Sequence, residues 1–175
     1  MRYGLILCSF IGAALLAPAL AHAQQQTQPN PLDNVPEKMP FFIPYGAPIS
    51  ADEARAAIAA AVAEAKTRGW AFNIAVVDSG ANLVAFERMD GAQLGSIEIS
   101  QHKARTAVKL RRETKVLESA VQNGNLYVLT IDDAITVRGG IPLVRDGKII
   151  GAIGCSGAMG SQDETVCKAG AATVK

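Results

Sequence analysis

The sequence predicts an α+β fold, a single domain in which an antiparallel sheet of about five strands is flanked by helices. Residues 138–161, RGGIPLVRDGKIIGAIGCSGAMGS, read as a hairpin: a strand over 141–145, a two-residue turn at Asp146-Gly147, and a longer strand over 148–155. A second hairpin runs from 72 to 87 and turns at Ser79-Gly80-Ala81-Asn82. Helical patterns stand before, between and after the two hairpins and must cover the sheet. The 138–161 hairpin is expected at the sheet's centre.

Residues 1–23 have the three parts of a secretory signal: Arg2, the apolar run 5–20, and the small-x-small site Ala21-His22-Ala23. Cleavage is expected after Ala23, giving a soluble, periplasmic or secreted product. The run is short for a bilayer span and broken by Pro18, and no other segment is apolar enough for long enough. Cys8 lies early in that run behind bulky Leu7, unlike a lipoprotein cysteine. Residues 24–48 form a Pro/Gln-rich arm whose prolines exclude a helix and favour an extended tether. Its aromatic cluster, Phe41, Phe42 and Tyr45, is expected to lie against the domain or a neighbouring subunit. The remaining domain spans 49–175.

Ser50 and Glu53 have capping-box spacing, opening an Ala-rich helix that ends at Gly69. A second helix is expected over 96–113, with Ile97, Ala104 and Val108 facing the sheet. Ile99, His102, Thr106 and Leu110 lie on its opposite side, so it needs a second contact, either a partner subunit or a ligand. A short helix follows over 115–122, and a short fifth strand is expected within 127–137. Ser161 and Glu164 have capping-box spacing ahead of a last helix over 165–172.

Without the signal, 17 basic residues become 16, matching the 16 acidic ones, so nothing indicates a nucleic-acid surface or an acidic-lipid patch. Cys155 ends a strand and Cys167 lies in the following helix, compatible with a disulfide in an oxidising compartment. Two separate buried thiols and a catalytic cysteine are the alternatives. Gly139, Gly140, Gly151, Gly154, Gly157 and Gly160 admit two readings: close packing of helix on sheet, or a cradle of free N–H groups for an anion. Neither Gly-x-Gly-x-x-Gly nor a Walker pattern is present.

With His22 removed, His102 is the one histidine left, which excludes two-His metal motifs and any His-based triad lacking it. Asp78, Glu87, Asp90, Asp132, Asp133 and Asp146 have no metal-loop or acid/base spacing, and four of the six sit where turns favour Asp. Ser156 misses the nucleophile-elbow pattern by one position. His102 reads as an ordinary surface or interface residue or, with its apolar strip and with Arg105, Lys109 and Arg112 nearby, as part of an iron-porphyrin site. Arg138 reads as a ligand for an anion or for loop carbonyls.

Three stretches carry a resemblance: NIAVVDSG with LVAFERMDG over 73–91, HKARTA from His102, and GGIPL from Gly139 through GAIGCSG ending at Gly157. Together, in this order, they resemble the GlcG/HbpS family of haem-binding proteins, also described as a haem-degrading domain family, over about 48–172. The resemblance implies a profilin-like domain that self-associates into a homo-oligomer and binds haem as its cofactor. In exported members it implies sensing, buffering or degradation of extracellular haem. His102 or Thr114 would lie near the iron, and Arg105, Lys109 or Arg138 near the propionates, with Gly139 and Gly140 beside Arg138. The family commonly has Pro-Thr after the second helix; this chain has Glu113-Thr114, and Thr114 matches a position implicated in haem contact. A binding protein is expected rather than an enzyme. The alternatives are an enzyme for a small carboxylated metabolite held by the loops at 139–140 and 154–160, and a structural oligomer whose aromatic arm swaps between subunits.

Overall fold

Four strands form one antiparallel sheet in the computed structural model, which describes residues 33–175. The expected signal segment and residues 24–32 of the arm lie outside the described residues. The elements are α1 (Ala51–Thr67), β1 (Asn73–Asp78), β2 (Leu83–Arg88), α2 (Ser96–Lys109), α3 (Thr114–Gln122), β3 (Gly140–Arg145), β4 (Lys148–Ser156) and α4 (Gly160–Ala171), with a 3-10 turn at Leu126–Thr130 before β3. They lie within one unit, Lys38–Lys175.

The strand order is β2-β1-β4-β3, so β1 and β4 are central. Only the second strand of the 138–161 hairpin is therefore at the centre; β3 is an edge, where Pro142 leaves no N–H wanting an outer partner. The turn between them is as read from the sequence, with Asp146 at φ 48° and Gly147 at φ 69°. The Ser50 box also forms: Glu53 N–H donates to Ser50 Oγ (3.3 Å) and Ser50 N–H to Glu53 Oε2 (3.1 Å).

The sheet has four strands, not five. Residues 127–137 instead form the 3-10 turn and an irregular strap, because their polar backbone groups find partners on α2. The Ile135 N–H donates to the hydroxyl of Thr106 (3.0 Å), and Asp133, at φ 58°, pairs with Lys109. Thr106 is thus buried rather than outward-facing, and α2's second contact includes this segment of its own chain. The hydrogen bond from Lys109 holds the Asp133 carboxyl below its ordinary 3.8, against desolvation, with further help from the charges of Lys109, His102 and Arg105.

α1 and α4 cover one face, burying Ile58, Val62, Ile74, Val76, Ile153 and Val166. α2 covers the other, against Val77, Ile149 and Ala152. Its sheet-facing residues are small: Ser96, Ser100, Ala104 and Ala107 are buried, whereas Ile97 is only partly so. A Cβ at Gly154 would stand 2.0 Å from the Ser100 carbonyl oxygen, so helix and strand touch backbone to backbone. A disulfide joins Cys155 on β4 to Cys167 on α4 across a Cα separation of 5.5 Å.

The end of the arm is docked. Ile149 N–H donates to Pro44 O (2.8 Å), Gly46 N–H to Ile149 O (2.8 Å), and the Tyr45 hydroxyl to the carbonyls of Val108 (3.0 Å) and Lys109 (3.1 Å). The two backbone contacts, at Ile149, fall on β4 beyond its last β1 pair, Asp78↔Gly151.

Two outcomes test this packing. Gly154→Ala should cost about 3 kcal/mol in urea unfolding, the upper range for overpacking; a cost under about 1 kcal/mol would contradict the backbone contact. A carboxylate with a depressed folded-state pKa stabilises above its unfolded value and loses that contribution as pH falls through the folded one. Hydrogen-exchange protection of the Ile135 amide should therefore hold above pH 3.8 and fall below it as Asp133 protonates. Asp133→Asn should lack this protection even at neutral pH; wild-type protection there would contradict the strap.

Candidate functional site

The residues singled out in the sequence separate into two groups. His102, Arg105 and Lys109 share one face of α2 and gather around Asp133. The His102 side chain keeps 34 % of its exposure, but its Nε2 is shielded, 3.5 Å from an Asp133 carboxylate oxygen, and has no hydrogen-bond partner among the described residues. Arg105 makes no hydrogen bond or ion pair among the described residues.

Thr114, Arg138, Gly139 and Gly140 lie elsewhere and are engaged internally. Thr114 is buried, its hydroxyl accepting the Gly140 N–H (2.9 Å). Arg138 Nε donates to both Glu118 carboxylate oxygens (2.9 Å each) and its Nη1 to Glu164 (3.3 Å). Glu118 and Arg138 draw each other's pKa values down and up respectively. A Cβ at Gly140 would stand 2.3 Å from Lys103 O, and one at Gly139 would stand 2.7 Å from the Asp163 Cβ. Both glycines serve close packing.

The loop before α4 is engaged in the same way. Helix α4 begins at Gly160, earlier than the Ser161 box implies, and Asp163 in its first turn accepts N–H groups from Gly157 (3.2 Å) and Ala158 (3.3 Å). Gln162 accepts that of Met159 (3.1 Å). The chain's own side chains thus occupy the cradle read for an anion. Asp163 also pairs with Lys103, and both side chains are almost fully buried. Burial pushes the Lys103 ammonium down and the Asp163 carboxyl up, opposed in each case by the partner's charge.

An open cleft of about 360 Å³ lies where three segments meet, a volume within the range of small-molecule sites. The arm contributes Phe41 and Ile43, and edge strand β3 contributes Ile141, Pro142 and Val144. The turn between α2 and α3 contributes Arg111, Arg112 and Glu113, with Val116 on α3. Its walls are apolar, and its charge is two cations against one carboxylate.

The turn explains why the arginines are there. α2 stops at Lys109, four residues before the expected end, because Arg111 takes a left-handed conformation at φ 53°. Arg112 N–H bonds to Ala107 O (3.2 Å) and Arg111 N–H to Val108 O (3.3 Å), the Schellman pattern in which glycine usually fills the Arg111 position. The guanidinium carbon of Arg111 stands 5.8 Å from the Phe42 ring centre and 5.4 Å from that of Tyr45; that of Arg112 stands 3.8 Å from Phe41. Arg112 Nε donates to Leu110 O (2.9 Å), while its Nη groups and Arg111 make no hydrogen bond or ion pair among the described residues. None of His102, Arg105, Lys109, Thr114, Arg138, Gly139 or Gly140 lines this cleft. The signal for it in the sequence is the pairing of the 41–45 aromatics with Arg111-Arg112, obscured when the helix is carried through to 113.

A family model described as "Haem degrading protein HbpS-like" matches residues 49–172. Protein GlcG of Escherichia coli K12 is 47% identical over 103 residues, covering 59% of this chain and 77% of GlcG. A crystal structure of a double mutant of Streptomyces reticuli HbpS superposes with a TM-score of 0.69 at 29% identity, covering 81% of this chain and 97% of that one. A crystal structure of a PduOC:heme complex gives a TM-score of 0.67 at 29% identity, covering 74% and 96%. The chain, with its four-stranded antiparallel sheet between two helical layers, belongs to the HbpS-like family.

Proposed function

We propose that this protein is an exported haem-binding protein and that the cleft at the α2–α3 turn is where haem is held. The observation that carries the reading is a groove with apolar walls beside two arginines whose charges are unpaired among the described residues, in a chain of the HbpS-like family. The heme complex of PduOC supports the same ligand class.

The residues present fit a flat ring system with carboxylates at its edge. Ile141, Pro142, Val144 and Val116 offer surface to the ring, and Arg111 and Arg112 offer charge-assisted hydrogen bonds to propionates. Among the described residues lining the cleft, Glu113 is the one with an oxygen donor suited to iron, and none is histidine, cysteine or methionine. When bound, haem supplies the iron redox couple and the Soret absorption. The chain's part is to desolvate the ring and balance its charge.

Export is supported by Arg2, the apolar run and the Ala21-His22-Ala23 site, and by the Cys155–Cys167 disulfide, a bond typical of oxidising compartments. Among the described residues no helix is long and apolar enough to cross a membrane.

Titrating the purified protein with hemin should give a saturable Soret change. Replacing the left-handed residue by Arg111→Gly should hold or raise stability yet weaken hemin binding about tenfold, the worth of one charge-assisted hydrogen bond. Combining it with Arg112→Ala should weaken binding further. His102→Ala should leave affinity unchanged; if it abolishes the Soret change while the arginine variants do not, the site lies under Asp133 instead. No Soret change in the wild type would end the haem reading.

A further inference from the structure

We infer that the arm segment around Phe41 is a ligand-gripping element of the cleft, and that the cleft recognises the carboxylated ring of its ligand rather than a metal within it. The inference rests on the haem reading above and goes beyond it. Its ligand class is flat, carboxylated tetrapyrroles, with or without iron.

The arm lies outside the family match, which begins at residue 49, yet Phe41 and Ile43 line the cleft. Its position there is fixed: Tyr45 is bonded to the last turn of α2 and Pro44 to β4, while Ile43 packs on the core beneath α2. Phe41 is held at φ 60°, a left-handed conformation that bulky residues rarely adopt. Arg111, on the same cleft, is left-handed too. Strained non-glycine residues persist where their surroundings over-determine them, and they collect at binding sites.

What Phe41 gains in that conformation is a ring set against the Arg112 guanidinium at 3.8 Å, with the residue still 39 % exposed. The contact orients a cation whose Nη groups are free of partners among the described residues. An aromatic face and an aimed guanidinium are what a flat ring bearing a carboxylate needs. Among the described residues Glu113 is the one oxygen-donor side chain lining the cleft.

The test compares hemin with metal-free protoporphyrin IX by absorbance and fluorescence titration of the full chain. Wild type should bind both, with affinities within about threefold of each other. Phe41→Gly removes the ring and the strain together, so its thermal midpoint should stay within about 3 °C of wild type. Its affinity for both porphyrins should fall about fivefold or more, the worth of an aromatic contact. Should Phe41→Gly unfold, Phe41→Leu keeps the apolar bulk and is expected to show the same weakening. Unchanged affinity in the folded variant would overturn the role of the arm, and binding of hemin but not of protoporphyrin IX would overturn metal independence. If wild type binds neither, it is the haem reading itself that fails.

Discussion

The structure depends on the direct seating of α2 on β1 and β4. Ser100 and Ala104 lie on Gly154 with no side chain between them, which no residue larger than glycine at 154 would permit. From that contact the rest of this face follows. Lys103, one residue from the point of contact, is carried into the interior, where Asp163 of α4 must meet it. Gly140 is brought against the Lys103 carbonyl, which sets the start of β3 and hands the Gly140 N–H to Thr114 at the head of α3. The last turn of α2 then presents the Val108 and Lys109 carbonyls to Tyr45.

The distribution of charge decides which surfaces remain available to a ligand. Lys103 is consumed by Asp163, Arg138 by Glu118 and Glu164, and Lys109 by Asp133. A buried pair of the Lys103–Asp163 kind contributes little net stability, yet removing one partner is costly, so it ties α4 to α2 in one arrangement. By contrast Arg111 and Arg112 are held by aromatic rings, which orient a guanidinium without neutralising it. The cleft beside them is accordingly a place where apolar surface and unspent positive charge coincide.

Much of this was legible in the chain. Hairpin turns at Asp146-Gly147 and at 79–82, the Ser50–Glu53 box and the Cys155–Cys167 spacing are local chemistry, and local chemistry is what a sequence shows directly. Two kinds of feature were hidden. Tertiary contact turned 127–137 into a strap, since the Thr106 hydroxyl that captures Ile135 N–H lies 29 residues away. The end of α2 was hidden because arginine, not glycine, fills the left-handed position of its Schellman turn. Carrying the helix on to 113 put Arg112 on the flank of a helix rather than on a turn facing β3 and the arm. His102 stands out in the sequence as the one histidine beyond the expected signal, but the structure covers its Nε2 with Asp133. The glycines at 139, 140 and 154 were legible as a pair of alternatives, and the backbone distances around them select close packing.

The iron of a bound haem reports its location directly. Crystals of the protein grown with hemin, measured at the iron absorption edge, should place the anomalous iron peak in the cleft between the α2–α3 turn and β3, beside Arg111, Arg112 and Pro142. A peak bonded to His102, with Asp133 displaced, would contradict it.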